Sequence, residues 1–109
     1  MSTIKDKNLA TIGQQEVDWA ARQMKVLEEI KTEFSSSKPL NGLNIGACMH
    51  VTKETANLML TLKAAGANVA LCASNPLSTK DSVAAYLSEN DIEVHAVHGV
   101  SNEDFFKHL

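Results

Sequence analysis

His50 is followed at two and four residues by Thr52 and Glu54, within the stretch "ACMHVTKET" from Ala47 to Thr55. An imidazole moves a proton near neutral pH. A hydroxyl both donates and accepts hydrogen bonds, and a carboxylate accepts them. Two more polar clusters follow, "SNPLST" from Ser74 to Thr79 and His98 with Gly99. Together they offer imidazoles, hydroxyls, an amide and one carboxylate. Such a set suits a polar, multi-hydroxyl small molecule such as a ribose, and helix N-terminal amides add to it. Cys48 and Cys72 stand in apolar runs and read as reduced, buried core thiols. A metal site on Cys48 and His50 lacks further ligands at suitable spacing.

These residues meet only if the elements between them bring them together. Three apolar runs, "LNIGACMH", "NVALCAS" and "IEVHAVHG", are each followed by a helical pattern. That rhythm predicts an α/β fold, a parallel sheet of three βα units with helices on its faces. Burial on both faces accounts for the nearly continuous apolar character of the first two runs. Ligands of open parallel sheets bind beyond the carboxyl ends of the strands. His50, Ser74–Thr79 and His98 occupy those ends, and right-handed crossovers make the strands neighbours. Thr52 reads as the N-cap of the first crossover helix and Gly66 as its terminator. "STKD" (Ser78 to Asp81) and "SNED" (Ser101 to Asp104) fit the capping box.

Residues 1–38 form a helical segment ahead of the βα units of residues 39–109. Val17, Ala20, Met24, Leu27, Ile30 and Phe34 recur at helical spacing and predict one long helix. Trp19 and Val26 lie off that stripe and suggest a second contact surface. "SSSKPLNG" (Ser35 to Gly42) is the polar connection between the two parts.

The chain has 109 residues, room for one domain. A net charge of −3 and the lack of basic runs argue against nucleic acid and anionic membrane surfaces. No apolar stretch is long enough to span a bilayer, and "MSTIKDKNLA" has no signal-peptide core. Reduced cysteines fit a cytoplasmic protein. Leu109 falls about two helical turns past Ser101 with no C-cap, so the chain reads as a segment of something longer. From spacing alone, Thr52 and Ser78 are ordinary caps and Asp81 completes a box. Glu54 is a first-turn partner of the helix dipole, and His95 and His98 are surface groups. G-x-G-x-x-G, G-x-S-x-G and P-loop motifs are absent. A receiver-like signalling domain expects an acidic phosphoacceptor at a strand end, and none is present. The residues thus reach a polar small-molecule site on an α/β domain and go no further.

Four co-linear blocks carry a resemblance. They are "DKNLATIGQQEVDWAARQMKVLEEI", "KPLNGLNIGACMHVTKETANLMLTL", "GANVALCASNPLSTKDSVAAYL" and "HGVSNEDFFKHL". They resemble, in order and nearly without gaps, the N-terminal part of the adenosylhomocysteinase (S-adenosylhomocysteine hydrolase) family. The resemblance implies a partial, Rossmann-like substrate-binding domain whose partner NAD-binding domain is absent from this chain. It implies an enzyme that reversibly cleaves S-adenosylhomocysteine to adenosine and homocysteine. There a bound NAD oxidises the ribose 3′-hydroxyl, homocysteine is eliminated, water adds and the ketone is reduced again. It also implies a cytoplasmic homotetramer with a small-molecule substrate and neither nucleic acid nor membrane as partner. His50 lies on the family's histidine of the "LHxT" motif, beside the ribose and implicated in proton transfer. Thr52 lies on its adenosine-binding threonine, and Glu54 on the Glu or Gln that recognises the adenine amino group. Ser78 and Thr79 lie in the "STQD" loop lining the same pocket. Met49, Lys80 and Val100 depart from the usual leucine, glutamine and glutamate. With the family's remaining catalytic groups and NAD fingerprint outside it, the segment is expected to form one wall of the pocket and to be inactive alone. The competing expectation is a free-standing module that binds an adenosine-type ligand without catalysis.

Overall fold

The computed structural model describes residues 2–108, so the expectation about Leu109 lies outside the described residues. The N-terminal segment forms two helices, α1 (Ala10–Ala21) and α2 (Lys25–Ser37), where the periodicity predicts one. At the break the amides of Gln23 and Met24 bond three residues back, to the carbonyls of Ala20 (2.9 Å) and Ala21 (3.1 Å). Met24 then leaves helical geometry at φ −117°, ψ 59°. Neither proline nor glycine stands there, so the cause is tertiary. The first half packs on both crossover helices and the second on only one of them. Val17 and Ala20 of the predicted stripe are buried, and Met24, Leu27, Ile30 and Phe34 are half-buried. Trp19 and Val26 are exposed.

The strands β1 (Asn44–Cys48), β2 (Asn68–Cys72) and β3 (Glu93–His95) form a parallel sheet in chain order. Asn44 pairs with Asn68, Cys48 with Cys72, and Cys72 in turn with His95. The crossovers are α3 (Lys53–Ala64) and α4 (Asp81–Glu89), and α5 (Asn102–His108) follows β3. Val69, Leu71 and Val94 of the sheet join Ala56, Met59, Val83 and Leu87 of the helices in one core, with Val17 of α1. Successive right-handed crossovers through strands in chain order run the same way and place their helices on the same face.

The expected two-sided burial is therefore absent from the described residues. β1 has no buried residue, and of the second face Gly46 and Cys48 are exposed while Ala70 and Cys72 are half-buried. This corrects the reading of Cys48 and Cys72 as core thiols: both are free, but they lie on the uncovered face. The outer edge of β3 is met by the N-terminal segment, where Thr3 donates to Val94 (2.8 Å) and accepts from Ala96 (2.9 Å).

Local signals fix the ends of α3. Thr52 is extended (φ −122°, ψ 170°) and its hydroxyl accepts from the Thr55 amide at 3.4 Å, the N-cap geometry. At the other end the Gly66 amide bonds Lys63 (3.0 Å) and the Ala67 amide bonds Leu62 (3.2 Å). Gly66 sits at φ +102°, completing a Schellman motif. The capping box expected at Ser78 does not form. The N-cap of α4 is Lys80, without a side-chain cap bond, because the Ser78 hydroxyl is engaged in its own turn with Asn75. At Ser101 the first half of the box does form, with the Asp104 amide donating to the hydroxyl (3.2 Å).

Candidate functional site

One short ladder assembles the rim above the strand ends. The Val51 amide donates to the Ser78 carbonyl and the Lys80 amide donates to the Val51 carbonyl, both at 2.8 Å. Val51 and Thr79 thereby form an isolated parallel bridge. Val51 is fully buried and anchors the stretch, so its neighbours His50 and Thr52 are fixed beside Ser78 and Thr79. His50 is exposed, with Nδ1 3.4 Å from the Ser74 hydroxyl. Thr52 spends its hydroxyl on the α3 cap and also meets the Thr55 hydroxyl at 3.4 Å.

Glu54 belongs to the first turn of α3, where its negative charge complements the helix N-terminus. It is exposed, with a carboxylate oxygen 3.8 Å from the Lys53 ammonium. That ammonium lies 5.3 Å from the centre of the Trp19 ring, a cation–π distance. Glu54 and Met49 border an open groove of about 620 Å³ whose other walls include Met24, Leu27, Ile30 and Leu58. The groove is apolar with a carboxylate at its margin, the general make-up of a small-molecule site.

The five residues singled out by sequence are thus unequal. His50, Thr52 and Glu54 follow one another through the strand-to-helix corner, with the first and last exposed. Ser78 is tied to them through its backbone, while its hydroxyl donates to the Asn75 carbonyl (2.9 Å) and accepts from the Asn75 amide (3.1 Å). Thr79 is buried, and its hydroxyl has no hydrogen-bond partner among the described residues. His98 is not remote from this loop. Its Nδ1 lies 3.1 Å from the Thr79 carbonyl, and its amide donates to Asp81 (3.0 Å). Asp81, read as a capping-box member, instead holds His98 and lies 3.6 Å from Lys5.

The sequence places Ser74 only in the polar stretch after β2, and Met49 only as a departure from the family pattern. A signal for Ser74 exists. Aligning the two apolar runs at Asn44 and Asn68, whose side chains bond at 3.0 Å, places His50 directly opposite Ser74. Met49 gives no such signal, because an apolar residue at a strand end looks the same whether it borders a groove or a core.

Among the described residues no three His, Cys, Asp or Glu side chains are grouped to hold a metal ion. The turns after β1 and β2 carry "MHVT" and "ASNPLST", with no glycine to let a backbone approach a pyrophosphate. Neither of these two turns fits a dinucleotide. No described helix is long and apolar enough to cross a membrane.

The family model described as S-adenosyl-L-homocysteine hydrolase matches residues 1–109. The chain is 52% identical over 107 residues to the adenosylhomocysteinase of Aquifex aeolicus. It is 51% identical over 106 residues to that of Saccharolobus solfataricus, and 49% over 106 residues to that of Sulfolobus acidocaldarius. Each match takes in 97% of this chain but only 25–26% of the relative. The chain spans about a quarter of the length of the curated relatives it matches.

Proposed function

The chain belongs to the S-adenosyl-L-homocysteine hydrolase family, and from that premise we propose that it forms one wall of an adenosine pocket. The whole protein's reaction in this reading is the reversible hydrolysis of S-adenosyl-L-homocysteine to adenosine and homocysteine. The observation that carries the reading is the Val51–Thr79 bridge, which holds the His50–Thr52–Glu54 corner against the Ser78–Thr79 loop. His50, exposed and oriented by Ser74, exchanges a proton at the ribose. Thr52 caps α3 and presents the same oxygen to a ribose hydroxyl, since a hydroxyl oxygen accepts twice and donates once. Glu54 accepts from the adenine amino group at the margin of the apolar groove, where the flat base stacks on aliphatic walls. Ser78 and Thr79 contribute the loop that lines this wall, held to the corner through its backbone.

In this reading NAD, which the resemblance implies for the redox chemistry, is held by a domain that this segment does not include. The segment is then a part of a substrate-binding domain, inactive by itself, in a cytoplasmic enzyme that assembles as a homotetramer.

Base recognition is tested in a chimaera carrying this chain in place of the matching quarter of the Aquifex aeolicus relative. Adenosine and inosine, which differ by an amino group against a carbonyl, serve as competitive inhibitors. Glu54→Leu is expected to weaken adenosine by about ten- to a hundredfold, the worth of one hydrogen bond to a charged group. Inosine should change little. Equal losses for both nucleosides would remove Glu54 from base recognition.

A further inference from the structure

Cys48 and Cys72 are the last residues of β1 and β2 and are paired in register. Adjacent strands run about 4.7–4.9 Å apart, inside the Cα separation of about 4.4–6.8 Å that a disulfide spans. Registered neighbours point to the same side of the sheet, and here that is the side without the crossover helices, where only the end of α5 comes near, at His108. Cys48 is exposed, and both cysteines line an open cavity of about 350 Å³ with Gly46, Ala70, His95 and His108. The side chains interact: burial and a hydrogen bond with Cys48 push the Cys72 thiol up to about 11. The Cys48 thiol also points at the Ala73 carbonyl, 3.5 Å away.

The alternatives fit less well. Inert core thiols would be buried, and among the described residues Cys48 is exposed. A metal site would need a third ligand, and His95, although in register with Cys72, forms no such group. Both of its ring nitrogens are engaged, Nδ1 with the Thr3 hydroxyl (3.1 Å) and Nε2 with Glu93 (2.9 Å).

We propose that Cys48 and Cys72 form a reversible intramolecular disulfide when the chain meets a hydroperoxide. The exposed Cys48 reacts first as its thiolate, attacking one peroxide oxygen and breaking the O–O bond. The departing hydroxide takes up a proton to become water, and Cys48 is left as a sulfenic acid. The Cys72 sulfur then attacks the Cys48 sulfur and gives up its proton. The S–O bond breaks and a second water leaves. Two thiols and one hydrogen peroxide become one disulfide and two waters, with two electrons passing from sulfur to oxygen. Cys72 resolves by losing its proton, and oxidation of Cys48 removes the neighbouring thiolate charge that helps to hold that proton on Cys72. The bond closes at the strand ends, two residues before His50. Any effect on ligand binding rests on the nucleoside reading, whereas the bond itself does not.

The test treats the chain, Cys48→Ser and Cys72→Ser with stoichiometric hydrogen peroxide. Iodoacetamide blocking, intact mass and a non-reducing peptide map follow. The wild-type chain is expected to lose the mass of two hydrogens, to resist alkylation and to yield one peptide joined through Cys48 and Cys72. Dithiothreitol should restore both thiols. Cys72→Ser should stop at a Cys48 sulfenic acid that dimedone captures, and Cys48→Ser should keep an alkylatable Cys72. Two alkylatable thiols in the treated wild type, a disulfide between two chains, or over-oxidation of Cys48 without a cross-link would each overturn the proposal. None of these readouts depends on nucleoside binding, so failure here leaves the functional reading standing.

Discussion

Thr79 carries a hydroxyl that is buried and, among the described residues, without a partner. Such a group destabilises a fold by about 1–3 kcal/mol. Thr79→Val keeps the shape and removes the orphan. It is expected to leave the thermal midpoint of the chain unchanged or higher. A lowered midpoint would mean that the hydroxyl is satisfied within the fold. At this scale the sequence is informative where a residue serves its own backbone. Thr52 is legible as a cap because the bond to Thr55 is local. The hydroxyl of Ser78 is also used locally, but backwards to Asn75, and capping-box spacing cannot tell that turn from a helix start. His50 is ambiguous by itself, since its partner Ser74 lies on another strand.

Two helix ends of the same design show what a single residue contributes to an element. After α3 the left-handed position is Gly66, and after α4 it is Asp91 at φ +61°, with the Ile92 amide closing back on Leu87 at 3.3 Å. A non-glycine residue there is strained by about 1–2 kcal/mol, partly offset by glycine's greater freedom when unfolded. Asp91→Gly is therefore expected to stabilise the chain by about 0.5 kcal/mol, seen as a higher denaturant midpoint at unchanged slope. Gly66→Ala should destabilise by about 1–3 kcal/mol, because a Cβ there would also stand 2.8 Å from the Asn41 Cα. Gly13 is needed for a different reason. A Cβ on it would reach 1.9 Å from the Ser82 carbonyl, so Gly13→Ala must force α1 off α4, with a loss of about 1–3 kcal/mol. An unchanged melting curve for Gly13→Ala would contradict that close approach. Gly66 is legible as a stop signal, whereas Gly13 is not, since its constraint lies on α4. The α1–α2 break is illegible for the same reason: residues 22–24 contain no breaker, and the bend follows from what each half packs against.

At the scale of the molecule, the three βα units are legible because each apolar run and helix stop is local. The sidedness of the sheet is not, because it depends on strand order. A parallel sheet normally buries both faces, and here Gly46 and Cys48 are exposed and Ala70 and Cys72 only half-buried among the described residues. Their small size leaves a flat apolar surface suited to packing, in a chain that spans about a quarter of its relatives' length. The pocket wall is correspondingly partial. Calorimetry of adenosine on the isolated chain is expected to give no saturable heat in the micromolar range, and micromolar binding would instead favour a self-sufficient binding module. The proposal stands most directly on His50, the group given the proton-transfer role at the rim. Turnover of S-adenosyl-L-homocysteine by the Aquifex aeolicus chimaera, with and without His50→Ala, measures that role. The expected result is a kcat about 10²–10⁴-fold lower at an unchanged thermal midpoint, and near-normal turnover by the His50→Ala protein would contradict it.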